Sequence, residues 1–181
     1  RTPIVIFTYR GMAECMGWPE KPVGWADVIA LAESPNGWAA CPTARPDWGE
    51  RPLVAFADPA VSSAARSTLQ VLNVVATGKP AEQVSAADIE APGVQDFVLR
   101  FQATVFHTYE DSRHVQTEMR LGPQSIHFAP VEEFNIPQFY KSWADTGPSE
   151  EVVAIYPSEG TVWHDNPFAV PDGHWVTAEQ R

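Results

Sequence analysis

Apolar residues fall into two kinds of run along this chain. Short continuous runs rich in β-branched and aromatic residues predict buried strands at Ile4 to Tyr9, Leu53 to Ala57, Ile126 to Ala129 and Val152 to Tyr156. Between them the apolar positions recur at helical spacing. Trp25, Val28, Ile29, Leu31 and Ala32 mark one helix, closed by Ser34-Pro35-Asn36-Gly37. Ala65, Leu69, Leu72 and Ala76 mark another, opened by Ser62 or Ser63 and closed by Gly78 and Pro80. Arg10 to Met16 predicts a short helix that Gly17 ends. Ser85 is placed to cap a short turn carrying Ile89. Pro92 then opens a helix with Val94, Phe97, Val98, Phe101 and Val105 on one side. Ser112 is expected to cap the next, with Val115 and Met119 inward and Gly122 at its end. Val131 to Ile136 reads as a helix broken at Pro137, and Thr161 to Val170 as extended chain. Strands alternating with helices define an α/β class with a mainly parallel sheet and flanking helices.

Composition narrows the function. The 181 residues suffice for one domain with a core or for two small lobes. A formal net charge of −11 counts against nucleic-acid binding and against docking on anionic lipid, since both need a cationic face. No apolar run approaches the roughly 20 residues of a membrane span. The two cysteines, Cys15 and Cys41, are too few for a disulfide framework or a four-cysteine zinc site. They either form one bridge, in an oxidising compartment, or stay as two buried thiols. No cofactor or metal motif is present. The chain opens directly on a strand, without Met or leader, and stops where Thr177 and Gln180 form a capping box. Both ends are therefore expected to be cuts through a longer polypeptide.

Four stretches carry candidate chemistry. In Phe56 to Ala65 a strand runs through Asp58-Pro59 into a helix headed by Ser62 and Ser63. Its first amides have no internal partner and suit a polar or anionic group at the carboxyl end of a strand; the serines equally serve as plain N-caps. Phe106 to His114 is a dense polar turn between two helices, with Tyr109 and Ser112 as candidates and solvated loop as the alternative. Glu132 and Glu133 meet a cationic group or are surface charge. Around Tyr156 to Thr161, Gly160 permits a tight turn, and Asp165 is placed to orient His164. No G-x-S-x-G elbow accompanies that pair. The seven tryptophans, scattered through loops, read mostly as packing anchors.

Together these segments resemble the binding domain of type II periplasmic-binding-protein-like lipoproteins, in particular extracellular solute-binding proteins followed by a von Willebrand factor A domain. Pro3 to Ile6 resembles the strand that crosses between lobes, and Gly17 to Asp27 the loop and helix after it. Asp58 to Ser63 resembles the ligand-facing D-P-x-x-S turn, with Ala64 and Ala65 where glycine is usual. His107 to Ser112 resembles an H-Y-G-D segment, with Glu110 in place of glycine. Ala154 to Thr161, with Asp165-Asn166-Pro167, resembles the return strand I-Y-P-x-E-G-T. The resemblance implies an incomplete two-lobe fold: residues 1–8 a hinge or crossover strand, 9–150 mainly lobe two, and 151–181 a return segment toward lobe one.

It further implies an extracytoplasmic, non-enzymatic domain that captures a small polar or anionic ligand. The full-length protein would supply any membrane tether. Ser62, Ser63, Tyr109, Ser112, Glu132 and Thr161 would be the ligand contacts. A second copy is a possible partner, by exchange of the strand after Ile155. The competing readings are an interaction or sensing module without a small ligand, toward which Ala64, Ala65 and Glu110 lean, and a hydrolase using His164 and Asp165.

Overall fold

A computed structural model of the chain describes residues 1–142, 150–165 and 176–180. Its sheet is built on β1 (Thr2–Tyr9), in which all eight positions are buried. A strand buried along its whole length needs both faces covered. The other strands are β2 (Val54–Ala57), β3 (Val105–Tyr109), β4 (Phe128–Glu132), β5 (Val152–Ile155) and β6 (Trp163–His164). The spatial order is β3-β2-β4-β1-β5, with β6 also on β1. β2 runs parallel to β3 and β4, while β1 runs antiparallel to β4, β5 and β6. The sheet is thus mostly parallel: β2 to β5 point one way and β1 alone runs against them. The helices are α1 (Arg10–Cys15), α2 (Trp25–Glu33), α3 (Ser63–Thr77), α4 (Ala86–Ile89), α5 (Pro92–Thr104), α6 (Ser112–Met119) and α7 (Asn135–Lys141).

Local chemistry explains most boundaries. Gly17 follows α1 with a φ of 99°, and Gly78 ends α3 in the left-handed region. Ser62 caps α3 by accepting from Ala65 N, and Ser85 with Asp88 forms a capping box on α4.

Three expectations need correction. Val105 to Tyr109 is neither helix end nor turn: it is β3, the outermost strand, paired with β2 from Val54–Val105 to Ala57–Tyr109. Its middle residues are exposed, so it shows no apolar signature, and pairing with β2 is what makes it a strand. Asp111, not Ser112, caps α6, accepting from both Arg113 N and His114 N. Finally, the chain stays extended to Glu132, and Pro137 does not break a helix; it occupies the first turn of α7. Amides of a first turn have no intrahelical acceptor, so proline is tolerated there.

The core has two sides. Phe7 packs edge-on against Phe139, and Tyr9 donates to Met119 O at 2.7 Å. On the other side, Trp25 and Phe56 both pack against Phe101. Trp38 and Trp48, 1% and 3% exposed, turn the proline-rich loop into part of the core. Trp143 and Trp175 lie outside the described residues. The same loop is tied to α1 by a Cys15–Cys41 disulfide, with Cα atoms 5.5 Å apart, which resolves the two alternatives left open by the sequence.

Beneath that loop, His127 is fully buried. Nδ1 accepts from Leu53 N and Trp38 Nε1, and Nε2 meets Pro123 O at 2.8 Å, so the ring is neutral with its proton on Nε2. Burial pushes its pKa down to about 4.

Two outcomes follow. An unfolded histidine titrates near 6.5, so the unfolded chain binds the extra proton first as pH falls. The neutral-His127 contribution is complete above that value and is lost on acidification toward the folded pKa, by about 3 kcal/mol. Urea unfolding from pH 7 to 4 should show this loss in the parent and a shallower slope in His127→Gln; equal slopes would contradict it. Reducing the disulfide, which spans a sequence separation of 26, should lower unfolding free energy by about 3 kcal/mol at fixed pH.

Candidate functional site

In an open α/β sheet the carboxyl ends of the parallel strands face outward into loops. Here β2 delivers Asp58, β3 delivers Tyr109 and β4 delivers Glu132 to one edge. Because β1 is reversed, its first residues lie there too: Ile4 pairs with Glu132, and Thr2 pairs with His164 of β6. The turns after β2 and β3 are joined by Asp58 N donating to Tyr109 O at 2.7 Å.

The Asp58 turn is rigid. Its carbonyl accepts from Ser62 N at 2.8 Å and its Oδ1 from Ala60 N at 2.8 Å. Arg66 reaches back to the carbonyls of Pro59 and Ala60. Ser62 is buried and committed to Ala65 N at 3.3 Å, while Ser63 is exposed. The amides of Ser63 and Ala64 precede any intrahelical acceptor, and of the two residues Ser63 is exposed and Ala64 buried.

The start of α6 is different. Arg113 and two backbone amides hold the Asp111 carboxyl down at about 2, and that carboxylate fills the helix N-terminus. A second anion there would meet Asp111 itself. Ser112, the first residue of α6, stands half-buried beside it. Tyr109 packs against His107, with ring centroids 4.4 Å apart. Partial burial and nearby Glu118 raise its pKa.

Glu132 is engaged by its own chain. Oε1 lies 3.0 Å from His164 Nδ1 and Oε2 accepts from Asn135 Nδ2 at 3.2 Å. On the far side of the imidazole, His164 Nε2 meets Ser67 Oγ at 2.5 Å. Glu132, not Asp165, orients His164; Asp165 pairs with Arg1 at 3.2 Å. Hydroxyl, imidazole and carboxylate in this order occur in hydrolases. Ser67 lies in the second turn of α3, one turn beyond the Ser63 and Ala64 amides.

Thr161 is set apart from the other five candidates. Its hydroxyl donates to Ile4 O on the opposite flank of β1 from Glu132. It lines a cavity of about 520 Å³ between the second half of α3 and the Glu159 to Val162 segment. That segment leaves β1 after Ile155 and returns at Val162, whose carbonyl accepts from Ile4 N.

The excursion is pinned to α2. Ser158 N donates to Val23 O at 3.0 Å, and Glu159 Oε1 accepts from Ala26 N at 3.0 Å, in the first turn. A carboxylate is stabilised at that end of a helix. A Cβ at position 24 would overlap the Glu159 carboxylate and force it to move. The Glu159–Gly24 contact had no local signal in the sequence, since the two lie in different segments.

No protein-family model matches the sequence, and no curated protein matches it. Solved structures do. An ABC transporter structure from Clostridium perfringens superposes on 88% of this chain and 39% of its own, with a TM-score of 0.53 at 14% identity. The periplasmic binding protein AfuA from Actinobacillus pleuropneumoniae, with fructose-6-phosphate bound, gives 0.47 at 10% identity over 88% of this chain and 38% of its own. An ABC transporter solute-binding protein from Thermotoga lettingae, bound with α-D-tagatose, gives 0.48 at 10% over 86% and 39%. At 14% identity the likeness to the Clostridium perfringens structure shows the fold alone, an α/β sheet with flanking helices. The chain spans about two-fifths of the chains it matches, as an incomplete version of that fold would.

Gly24→Ala should cost about 1–2 kcal/mol, the loss of a hydrogen bond to a charged group. In a Glu159→Ala background the same substitution should cost far less. A double-mutant cycle by urea unfolding that returns no coupling would remove the contact from the account.

Proposed function

We propose that this chain is the ligand-binding lobe of an extracytoplasmic solute-binding protein, and that it captures a small polar solute without transforming it. The observation that carries the reading is the first turn of α3. Its exposed Ser63 hydroxyl and the Ser63 and Ala64 amides, which have no intrahelical acceptor, stand at the carboxyl edge of the sheet, and Asp58 joins this turn to Tyr109. Ser62 can still donate its proton outward while accepting from Ala65. Tyr109 would wall the site, and Ser112 would contribute a hydroxyl.

The solute is uncharged rather than anionic in this reading. Asp111 closes the α6 amides, and Asp58, Glu110 and Glu133 add carboxylates along the same edge. A polyol or sugar offers hydroxyls that both accept from amides and donate to carboxylates. In this scheme residues 1–8 are a crossover strand, 9–150 the lobe and 151–181 a return segment toward a second lobe. A lipoprotein anchor and a following von Willebrand factor A domain belong to the full-length protein; the strand after Ile155 pairs with β1 of its own chain, so exchange with a second copy would have to displace that pairing.

A second reading is an interaction module, on one observation: Val61, Phe134, Tyr156 and Trp163 are 63%, 44%, 52% and 58% exposed. Exposed apolar groups of this size suit a protein partner.

A titration of the chain with neutral monosaccharides, polyols, their phosphate esters, sulfate and amino acids, followed by backbone amide NMR, separates these. The expected result is saturable shifts confined to Ser63, Ala64 and residues 109–112, larger for a neutral sugar or polyol than for its phosphate ester. Ser63→Ala should weaken binding about fivefold to tenfold. If no solute moves these amides, the solute-binding reading falls and the interaction module takes its place.

A further inference from the structure

Five polar side chains form a continuous hydrogen-bonded line under the carboxyl edge. Ser67 of α3 meets His164 of β6, which meets Glu132 of β4; Glu132 meets Asn135 of α7, which accepts from Gln116 of α6 at 2.9 Å. Ser67, Asn135 and Gln116 are 8%, 4% and 8% exposed. The His164 and Glu132 side chains are 16% and 13% exposed. Buried polar groups persist where they are paired, and an unpaired one is costly.

The line is placed where the backbone gives least support. β6 has two residues and pairs with β1 through Thr2–His164 and Pro3–Trp163; proline has no N–H to give to that ladder. Trp163 itself is mostly exposed, and Val162 packs against the core with its carbonyl accepting from Ile4 N. The imidazole adds the side-chain ties of β6, with one nitrogen on α3 and the other on β4. Glu132 accepts on both oxygens from groups of its own chain.

We propose that Ser67, His164 and Glu132 form a latch that locks strands β1 and β6 to α3 and β4, so that Glu132 is a positioning residue and not a ligand contact. Thr2 and His164 sit side by side, so the latch acts at the point where the chain enters and leaves the sheet edge. In the solute-binding reading it holds the start of β1 and β6 in fixed register with the α3 turn. That consequence rests on the solute-binding reading; the latch does not.

Amide hydrogen exchange of the whole chain, without any solute, tests it. In Glu132→Ala the amides of Ile4 and of residues 162–164 should exchange about tenfold faster, while those of Val54 to Ala57 stay near parent rates. Glu132→Gln, which keeps an acceptor for His164, should restore most of the protection. The imidazole Nδ1–H resonance of His164 should be visible in the parent and in Glu132→Gln and absent in Glu132→Ala. Should Glu132→Ala not fold, Ser67→Ala removes the other end with a residue the helix prefers, and faster exchange at 162–164 is read the same way. Unchanged exchange at 162–164, or an equal increase at Val54 to Ala57, overturns the latch. Neither result bears on the solute titration, and a failed titration leaves the latch standing.

Discussion

Everything in this molecule is arranged around the burial of one reversed strand. β1 has no exposed position, and among the described strands it alone pairs with all three of β4, β5 and β6. Covering both of its faces requires helices on both sides of the sheet. It also requires strands to reach it from two distant parts of the chain. Its direction has a further effect: the start of β1, the end of β4 and the whole of β6 come to one edge, where the turns after β2 and β3 already lie. The candidate site is a by-product of how the most apolar segment is hidden.

The edge is not uniform in charge or in hydrogen-bonding capacity. The first turn of α3 keeps two amides without an intrahelical acceptor, because Ser62 takes the Ala65 amide and leaves those of Ser63 and Ala64. The first turn of α6 has its donors covered by Asp111, whose own charge is held by Arg113. Two helix starts that look alike in sequence, each with serine at hand, are therefore opposite electrostatically. An acidic chain with one open and one closed helix start is better matched to a ligand of hydroxyl groups than to a fully charged anion.

Much of the fold was legible because burial leaves a period in the sequence. β1, α2, β2, α3 and α5 each have an apolar run or stripe that only one structure satisfies. β3 was not legible: as an outer strand it buries little, so Phe106, His107 and Thr108 read as a turn until β2 is beside them. The cap of α6 was misplaced by one residue, since Asp111 and Ser112 are both good caps and only the geometry chooses. Of the site, Ser62 and Ser63 were visible as a strand–turn–helix signal. The His164 contacts were not: its partners Ser67 and Glu132 lie 97 and 32 residues away, and the adjacent Asp165 was the only carboxylate a local reading could offer.

The proposal to be tested is that a neutral solute meets this chain at the carboxyl edge, between the starts of α3 and α6. Intermolecular nuclear Overhauser effects between a bound neutral sugar and the protein test it most directly. The account predicts contacts from sugar protons to the Tyr109 ring and the Ser63 β-protons. Contacts found instead at the opposite edge, around Arg10 and the end of α1, would contradict it.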